Sequence, residues 1–254
     1  MFAQERQHKI TELLEQRRKI GVYDLQQLLG VSPATLRRDL AQLQRIGKLV
    51  RTHGGVLHTN FRTGEPAFER KVREASAAKA RIAEVAVRLV PPNATVFVDA
   101  GTTTLEVGRR LLGRDDLTIF TNSLPLLNER RIGKSALVSI GGEMREISRA
   151  LVGSVALDWL RQLRFDLAFV GASGLDATDG ASTTELMEAA VKKGIVTRAR
   201  RVVLVADSSK WDKPAPILFA GWRDFSDFVT DQRPSRTRSE ALQRHRVHWH
   251  ADAG

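Results

Sequence analysis

The sequence predicts an α/β protein in two parts, an N-terminal winged helix-turn-helix followed by a mostly parallel α/β domain. Three observations predict it. Residues 1–60 lay out three short apolar-faced helices and then two strand-like runs around a Gly-Gly tip. Residues 77–232 alternate near-continuous apolar runs with helical ones, the pattern of parallel strands buried on both faces. Charge is also uneven. Residues 1–60 carry 10 Lys+Arg against 5 Asp+Glu and residues 61–90 carry 7 against 4, so the first 90 residues hold +8 of a net +11. A basic front on a near-neutral body fits a chain whose first part meets a polyanion, although a solvated basic surface would give the same sum.

A length of 254 residues suits one large and one small domain. Hydrophobic residues make up 42% and charged residues 27%, close to a globular average. No apolar run reaches the ~18 residues of a spanning helix. The opening MFAQERQHKITELL has no apolar stretch before its first charges, so it is not a secretory signal. Cysteine is absent, which excludes disulfides, thiolate metal sites and cysteine nucleophiles. The expectation is a cytoplasmic protein with no membrane contact and no cofactor.

The elements follow in order. Ile10, Leu13 and Leu14 set an apolar stripe on a helix from about Glu5 to Arg18, and Gly21 ends that run. Asp24–Leu29 reads as a short second helix with Leu25, Leu28 and Leu29 inward, and Gly30-Val31 as a turn. Ser32-Pro33 is a strong helix start, a serine N-cap before a proline whose missing N–H costs nothing at the first helical position. Leu36, Leu40 and Leu43 mark the buried face of this third helix, and Gly47 stops it. That leaves Ala34, Thr35, Arg37, Arg38, Ala41 and Gln42 outward. Small residues let the backbone approach a groove floor, and two arginines suit guanine edges or phosphates. Lys48–Arg51 and Val56–Thr59 then form a wing around Thr52-His53-Gly54-Gly55, with Arg51, His53 and the tip amides placed for a phosphate backbone or minor groove. The expected DNA-contacting set is Ser32, Pro33, Ala34, Thr35, Arg37, Arg38, Gln42, Arg51, His53 and Gly54. One such unit, 1–59, reads only a few base pairs, so at least a homodimer or a homotetramer is expected on double-stranded DNA.

Residues 60–76 read as a linker of Gly, Pro and basic residues, with Phe68 as a candidate docking point. In the body, 77–232, strands are expected at Thr95–Asp99, Leu117–Thr121, Ala136–Ile140, Asp166–Val170, Val202–Ala206 and Asp227–Thr230. Helices are expected at Ala78–Val90, Thr103–Leu112, Leu124–Arg130, Ser154–Leu163 and Thr184–Arg200. Open sheets of this kind bind ligands at the carboxyl ends of their strands. There the sequence places Asp99-Ala100-Gly101-Thr102-Thr103-Thr104, Thr121-Asn122-Ser123, Gly141-Gly142-Glu143-Met144-Arg145, Gly171-Ala172-Ser173-Gly174 and Asp207-Ser208-Ser209-Lys210. A glycine turn, hydroxyls and a helix N-terminus suit a phosphate. Turn-forming residues are ordinary in any one loop. Five such loops at one edge describe a pocket for a small polyhydroxylated anion.

Ser32-Pro33-x-Thr35-x-Arg37-Arg38-Asp39-Leu40, Gly47 and Arg51-Thr52-His53-Gly54-Gly55, together with Arg6 and Ile10, resemble the N-terminal signature of the DeoR family of bacterial transcription regulators. The family usually has Ser or Thr where this chain has Tyr23. Asp99-x-Gly101-Thr102-Thr103, Thr121-Asn122, Gly141-Gly142, Gly171-x-Ser173-Gly174, Glu188 to Lys192 and Asp207-x-Ser209-Lys210 resemble the same family's C-terminal sensor domain, which is related in fold to ribose-5-phosphate isomerase. The resemblance spans about residues 5–230. It implies a regulator, most often a repressor of a sugar-utilisation operon, relieved by a sugar-phosphate effector. It would place Asp99, Gly101, Thr102, Thr103, Thr104, Thr121, Asn122, Gly141 and Gly142 at the effector, with Lys192 and Lys210 as charge partners and Glu185 as a hydroxyl acceptor; the strand-end loops themselves add Arg145 and Ser173 to the expected set.

The alternative is an isomerase-like enzyme fused to a DNA-binding unit. Gly171–Gly174 lacks the spacing of a nucleophile elbow, and no histidine lies between His58 and His245 to build a Ser–His–acid triad. Asp176, Asp179, Glu185 and Lys192 would suffice for isomerase chemistry. Residues 233–254 read as a polar tail. His245, His248 and His250 invite a metal there, but a frayed end is the expectation, with Trp249 docking it or filling an oligomer contact.

Overall fold

Leu36, Leu40 and Leu43 recur at the spacing of one helix face, and all three are buried together with Ile10, Leu14, Leu25 and Val56. Burying side chains of this size contributes about 1.5–3 kcal/mol each, which is how so short a unit holds its own core. The computed structural model describes residues 3–17, 19–45, 49–52, 55–58, 68–129 and 132–252. The chain divides into two compact units, Met1–Pro66 and Ala67–Gly254.

In the first unit, helices α1 (Ala3–Arg17), α2 (Val22–Leu29) and α3 (Pro33–Arg45) pack beside strands β1 (Lys19–Gly21), β2 (Leu49–Thr52) and β3 (Gly55–His58). Gly30 ends α2 in the left-handed region at φ 60°, where a glycine is unstrained, and its N–H donates to the Gln26 carbonyl at 3.0 Å. The wing is a three-stranded antiparallel sheet, β1-β3-β2, rather than the expected pair, because Ile20 pairs with Val56. Three residues are too few to show a strand pattern in the sequence. Two other expectations are corrected. Helix α2 starts at Val22 behind Gly21 with no side-chain cap, leaving Tyr23 70% exposed. Leu28 is not inward but 47% exposed, since Leu25 and Leu29 already fill the inner face.

The second unit is built on a parallel sheet of seven strands. Before it come α4 (Phe68–Arg73) and α5 (Ser76–Val87). Then follow β4 (Thr95–Val98), α6 (Thr102–Leu111), β5 (Thr118–Thr121), α7 (Leu124–Leu127), β6 (Ala136–Ser139), β7 (Glu143–Arg145), β8 (Ala150–Val152) and α8 (Ser154–Gln162). The rest comprises β9 (Phe165–Gly171), β10 (Gly174–Asp176), β11 (Gly180–Thr183), α9 (Leu186–Arg198), β12 (Ala199–Val205), β13 (Ile217–Ala220), β14 (Asp227–Thr230), α10 (Arg236–Arg244) and β15 (His248–Ala251). One core includes Ile82, Val96, Leu105 and Val205, and the other Phe97, Val170, Ile195 and Leu204. Adjacent strand residues thus enter opposite cores, as a sheet covered on both faces requires. No helix among the described residues is long and apolar enough to cross a membrane.

All six expected strands are present. The polar tail is corrected: residues 233–252 add α10 and the outer strand β15, with Leu242 and Val247 buried and Trp249 packed against the core. Of the expected linker, residues 60–67 lie outside the described residues. Phe68–Arg73 is helical, and Phe68 is buried in the second unit's core.

The strand order fixes where a site forms. In the sheet order β15-β14-β12-β9-β4-β5-β6 the chain moves outward from β4 through β5 and β6, then returns to place β9 on the other side of β4. Strand order reverses between β4 and β9, and the crevice at the carboxyl ends of such a pair is where open α/β sheets hold ligands.

Candidate functional site

Helix α3 sorts its polar residues by face. Asp39 is 4% exposed and accepts the Arg6 guanidinium in a fork, Nε at 2.7 Å and Nη2 at 3.2 Å, which fixes α1 to α3. Ser32, Pro33, Ala34, Arg37, Arg38, Ala41 and Gln42 are exposed, and Thr35 is half-buried. The Ser32 hydroxyl caps the helix, accepting the Thr35 N–H at 3.2 Å and lying 2.9 Å from Thr35 Oγ1. Gln42 Oε1 accepts the Gln7 side-chain amide at 2.9 Å. What α3 presents is therefore a small-residue N-terminus and two arginines. Arg51 stands on β2 opposite Val56, while His53 and Gly54 lie outside the described residues.

In the second unit the centre of the switch point is a buried ion pair. Asp99 follows β4, and its carboxylate accepts the Lys192 ammonium and the Gly171 N–H, the latter at 3.2 Å. Lys192 also donates to the Gly171 carbonyl at 3.0 Å and lies 5.6 Å from the Phe219 ring centroid. Burial pushes the Asp99 carboxyl above its ordinary value, against the pull of Lys192 and Gly171. Helix α9 places Glu188 one turn before Lys192 on the same face. Glu188 accepts Arg145 Nη1 at 2.9 Å and the Thr183 hydroxyl at 3.4 Å. Glu185 caps α9 by accepting the Glu188 N–H at 2.9 Å, with its carboxylate 3.9 Å from Arg145 Nε.

Beside the pair, α6 begins at Gly101 with no side chain capping it. The first amides of a helix have no partner within it, and the dipole there favours an anion. Gly101 and Thr102 are half-exposed and Thr103 is 8% exposed. Other expected ligand groups serve the backbone. Thr104 donates its hydroxyl to the Gly101 carbonyl at 3.0 Å. Thr121 donates to Val98 O at 2.6 Å and accepts the Ser123 N–H at 3.0 Å. Asn122 accepts the Ala100 N–H at 2.8 Å and donates to Leu151 O at 3.3 Å. All three are buried and shape the loops. Gly142 acts likewise: at φ +119° a Cβ would sit 2.4 Å from the Val152 carbonyl, so glycine lets β8 close up.

Ser173 is half-exposed after β9, with its N–H donating to Ser182 O at 2.9 Å. No hydrogen bond or ion pair joins Lys210 to the Asp99–Lys192 group among the described residues; it lies in a single 3-10 turn, Ser208–Lys210, capped by Asp207. Near that turn sits a group not expected from the sequence. Lys79 is 4% exposed and donates to the carbonyls of Lys71 and, at 2.5 Å, Glu74. Burial pushes its ammonium down, partly offset by Asp207. Its signal was present, since Lys79, Ile82, Ala83 and Ala86 share one helix face. Glu188 was obscured by helix register. At the opposite, amino ends of the strands an open hollow of about 600 Å³ is lined by residues including Asn93, Asp166, Arg200 and Arg201. It holds no comparable buried charge, so the switch point is the better candidate. Among the described residues no cluster of three or more His, Cys, Asp or Glu is arranged to hold a metal ion.

A family model described as the DeoR-like helix-turn-helix domain matches residues 6–60, and one described as the DeoR C terminal sensor domain matches residues 74–232. The transcriptional repressor AccR of Agrobacterium fabrum is 37% identical over 232 residues, 90% of this chain and 89% of its own. The glycerol-3-phosphate regulon repressor of Escherichia coli K12 is 30% identical over 244 residues, 96% of each chain. Among solved structures, ribose 5-phosphate isomerase A from Methanocaldococcus jannaschii matches 55% of this chain and 56% of its own, at 19% identity and a TM-score of 0.42, a likeness too slight to carry an argument.

Proposed function

This chain belongs to the DeoR family of transcription regulators, and from that membership we propose that it represses a carbohydrate- or polyol-utilisation operon until a phosphorylated sugar or polyol fills the β4–β9 pocket. It is a DNA-binding regulator and not an enzyme. One observation carries the effector reading: the buried Asp99–Lys192 pair stands beside the uncapped start of α6. The α6 amides, with Thr102 and Thr103, suit the phosphate. Asp99, Glu185 and Glu188 suit hydroxyl hydrogens, and Arg145 and Lys192 balance their charge. Ser173, Gly141 and, as a further cation, Lys210 complete the assignment. On the DNA side, α3 enters a major groove with Arg37 and Arg38 at base edges or phosphates, and Arg51, His53 and Gly54 of the wing lie along the backbone. The working species is a homodimer or homotetramer in the cytoplasm, bound to a repeated operator.

The test is a thermal-shift screen of phosphorylated sugars and polyols, glycerol 3-phosphate included, each beside its dephosphorylated form. A ligand at 100 times its Kd adds about 2.7 kcal/mol to apparent stability. The expected result is a shift with one phosphorylated compound and none with its parent alcohol. No shift across the panel would remove the effector reading and leave the DNA-binding assignment standing.

A further inference from the structure

The hairpin β7–β8 lies outside the seven-stranded sheet and reaches two places at once. At the switch point it contributes Arg145, bonded to Glu188 of α9 and close to Glu185, which caps that helix. There too Leu151 of β8 is tied to Asn122 both ways: its N–H donates to the Asn122 carbonyl at 2.7 Å and its carbonyl accepts the Asn122 side chain at 3.3 Å. Asn122 in turn holds the Ala100 N–H, next to Asp99. The segment joining the two strands meets α4. The Ile147 carbonyl accepts the Phe68 N–H at 3.0 Å, and Arg149 pairs with Glu69. Arg149 itself has φ 53°, in the left-handed region that non-glycine residues rarely adopt. Helix α4 is the first described element of the second unit, and the chain before it leads to the helix-turn-helix unit. At its other end the chain turns at Ala75, φ 51°, and Lys79 holds the carbonyls of Lys71 and Glu74.

We propose that the β7–β8 hairpin is the relay by which the pocket controls α4, and through it the DNA-binding unit. The proposal rests on the pocket reading above. A phosphorylated polyol brings hydroxyls that compete for Glu188 and a negative charge that attracts Arg145. Either change makes Arg145 exchange partners, and Arg145 is the last residue of β7. Both strands of the hairpin are three residues long, so a shift at Arg145 is carried to Ile147 and Arg149 within one turn. Phe68 and Glu69 then lose the positions at which they hold α4. A ligand shifts the two arrangements only by its difference in affinity for them, and Arg145 and Glu188 are the groups whose contacts differ.

Amide hydrogen exchange on the full chain without ligand tests the relay, comparing the unmodified protein with R145A and the milder E188Q. Loss of the pocket-side anchor is expected to speed exchange of the 68–73 amides about tenfold in R145A and less in E188Q, with α5 and β4 unchanged. Acceleration confined to the hairpin would overturn the relay, as would no acceleration in either variant. An equal rise in α5 and β4 would show general loosening and overturn it too. If R145A does not fold, E188Q decides alone by the same criteria. Because no ligand enters, a failed effector screen and a failed relay are told apart.

Discussion

Arg37, Arg38 and Asp39 are consecutive in the chain, yet the first two are exposed and the third is buried against Arg6. The turn of a helix, 100° per residue, makes that separation, and it gives each charge a different role. Arg37→Ala and Arg38→Ala are each expected to cost ~1–3 kcal/mol of operator binding where the side chain grips a base, with relaxed specificity at that position. Fluorescence anisotropy on an operator and on single-base variants measures both. Unchanged binding by both variants would remove α3 as the reading helix. At this scale the sequence was legible where local spacing names the partner, as with Ser32, whose hydroxyl caps α3. It was incomplete where a polar side chain has two possible partners. Thr121 and Asn122 at a strand end read as ligand groups, but the neighbouring backbone has the prior claim, because a buried unpaired N–H or C=O is costly.

Whole elements were legible in proportion to their apolar content. The six expected strands announced themselves as runs such as Val202–Ala206, whereas β15 is the polar-looking His-Trp-His-Ala. What holds β15 in place is pairing with β14 and the bond of His250 Nε2 to Asp227 at 2.8 Å, neither visible from composition. Helix α10 buries only Ala241 and Leu242 of its nine residues, too few to show a periodicity. Asp227 therefore ties the outer strands together. Burial would push its carboxyl up, but Arg201 at 2.7 and 2.8 Å and His250 outweigh this and hold it below the ordinary value. A carboxyl lowered in the folded state stabilises above its unfolded value, about 3.9, and loses that contribution as pH falls through the lowered one. The stability advantage of the unmodified protein over Asp227→Asn should thus shrink as pH falls below about 4, as read by melting temperature. A gap constant with pH would show that Asp227 acts by shape alone.

The molecule as a whole is a densely basic reading unit joined to a larger sensing unit: residues 1–66 hold 11 Lys+Arg against 6 Asp+Glu, and residues 67–254 hold 29 against 23. A single recognition helix spans only a few base pairs, and the homodimer or homotetramer proposed above would bring two such units to one operator. Removing one half-site is expected to weaken binding by at least tenfold and to flatten its salt dependence, because fewer phosphates are neutralised. Equal affinity for half and whole operators, measured across a salt series, would make the monomer the working species. The order of strands in the sheet has a bearing on how each copy comes into being. Strand β4 must wait for β9 to flank it, and Asp99 must wait for Lys192, 93 residues further along the chain. At ribosomal speed that is a delay of roughly 5–20 s, and N-terminal domains generally fold first. A newly made copy can have its reading helix in place before its switch-point ion pair is joined.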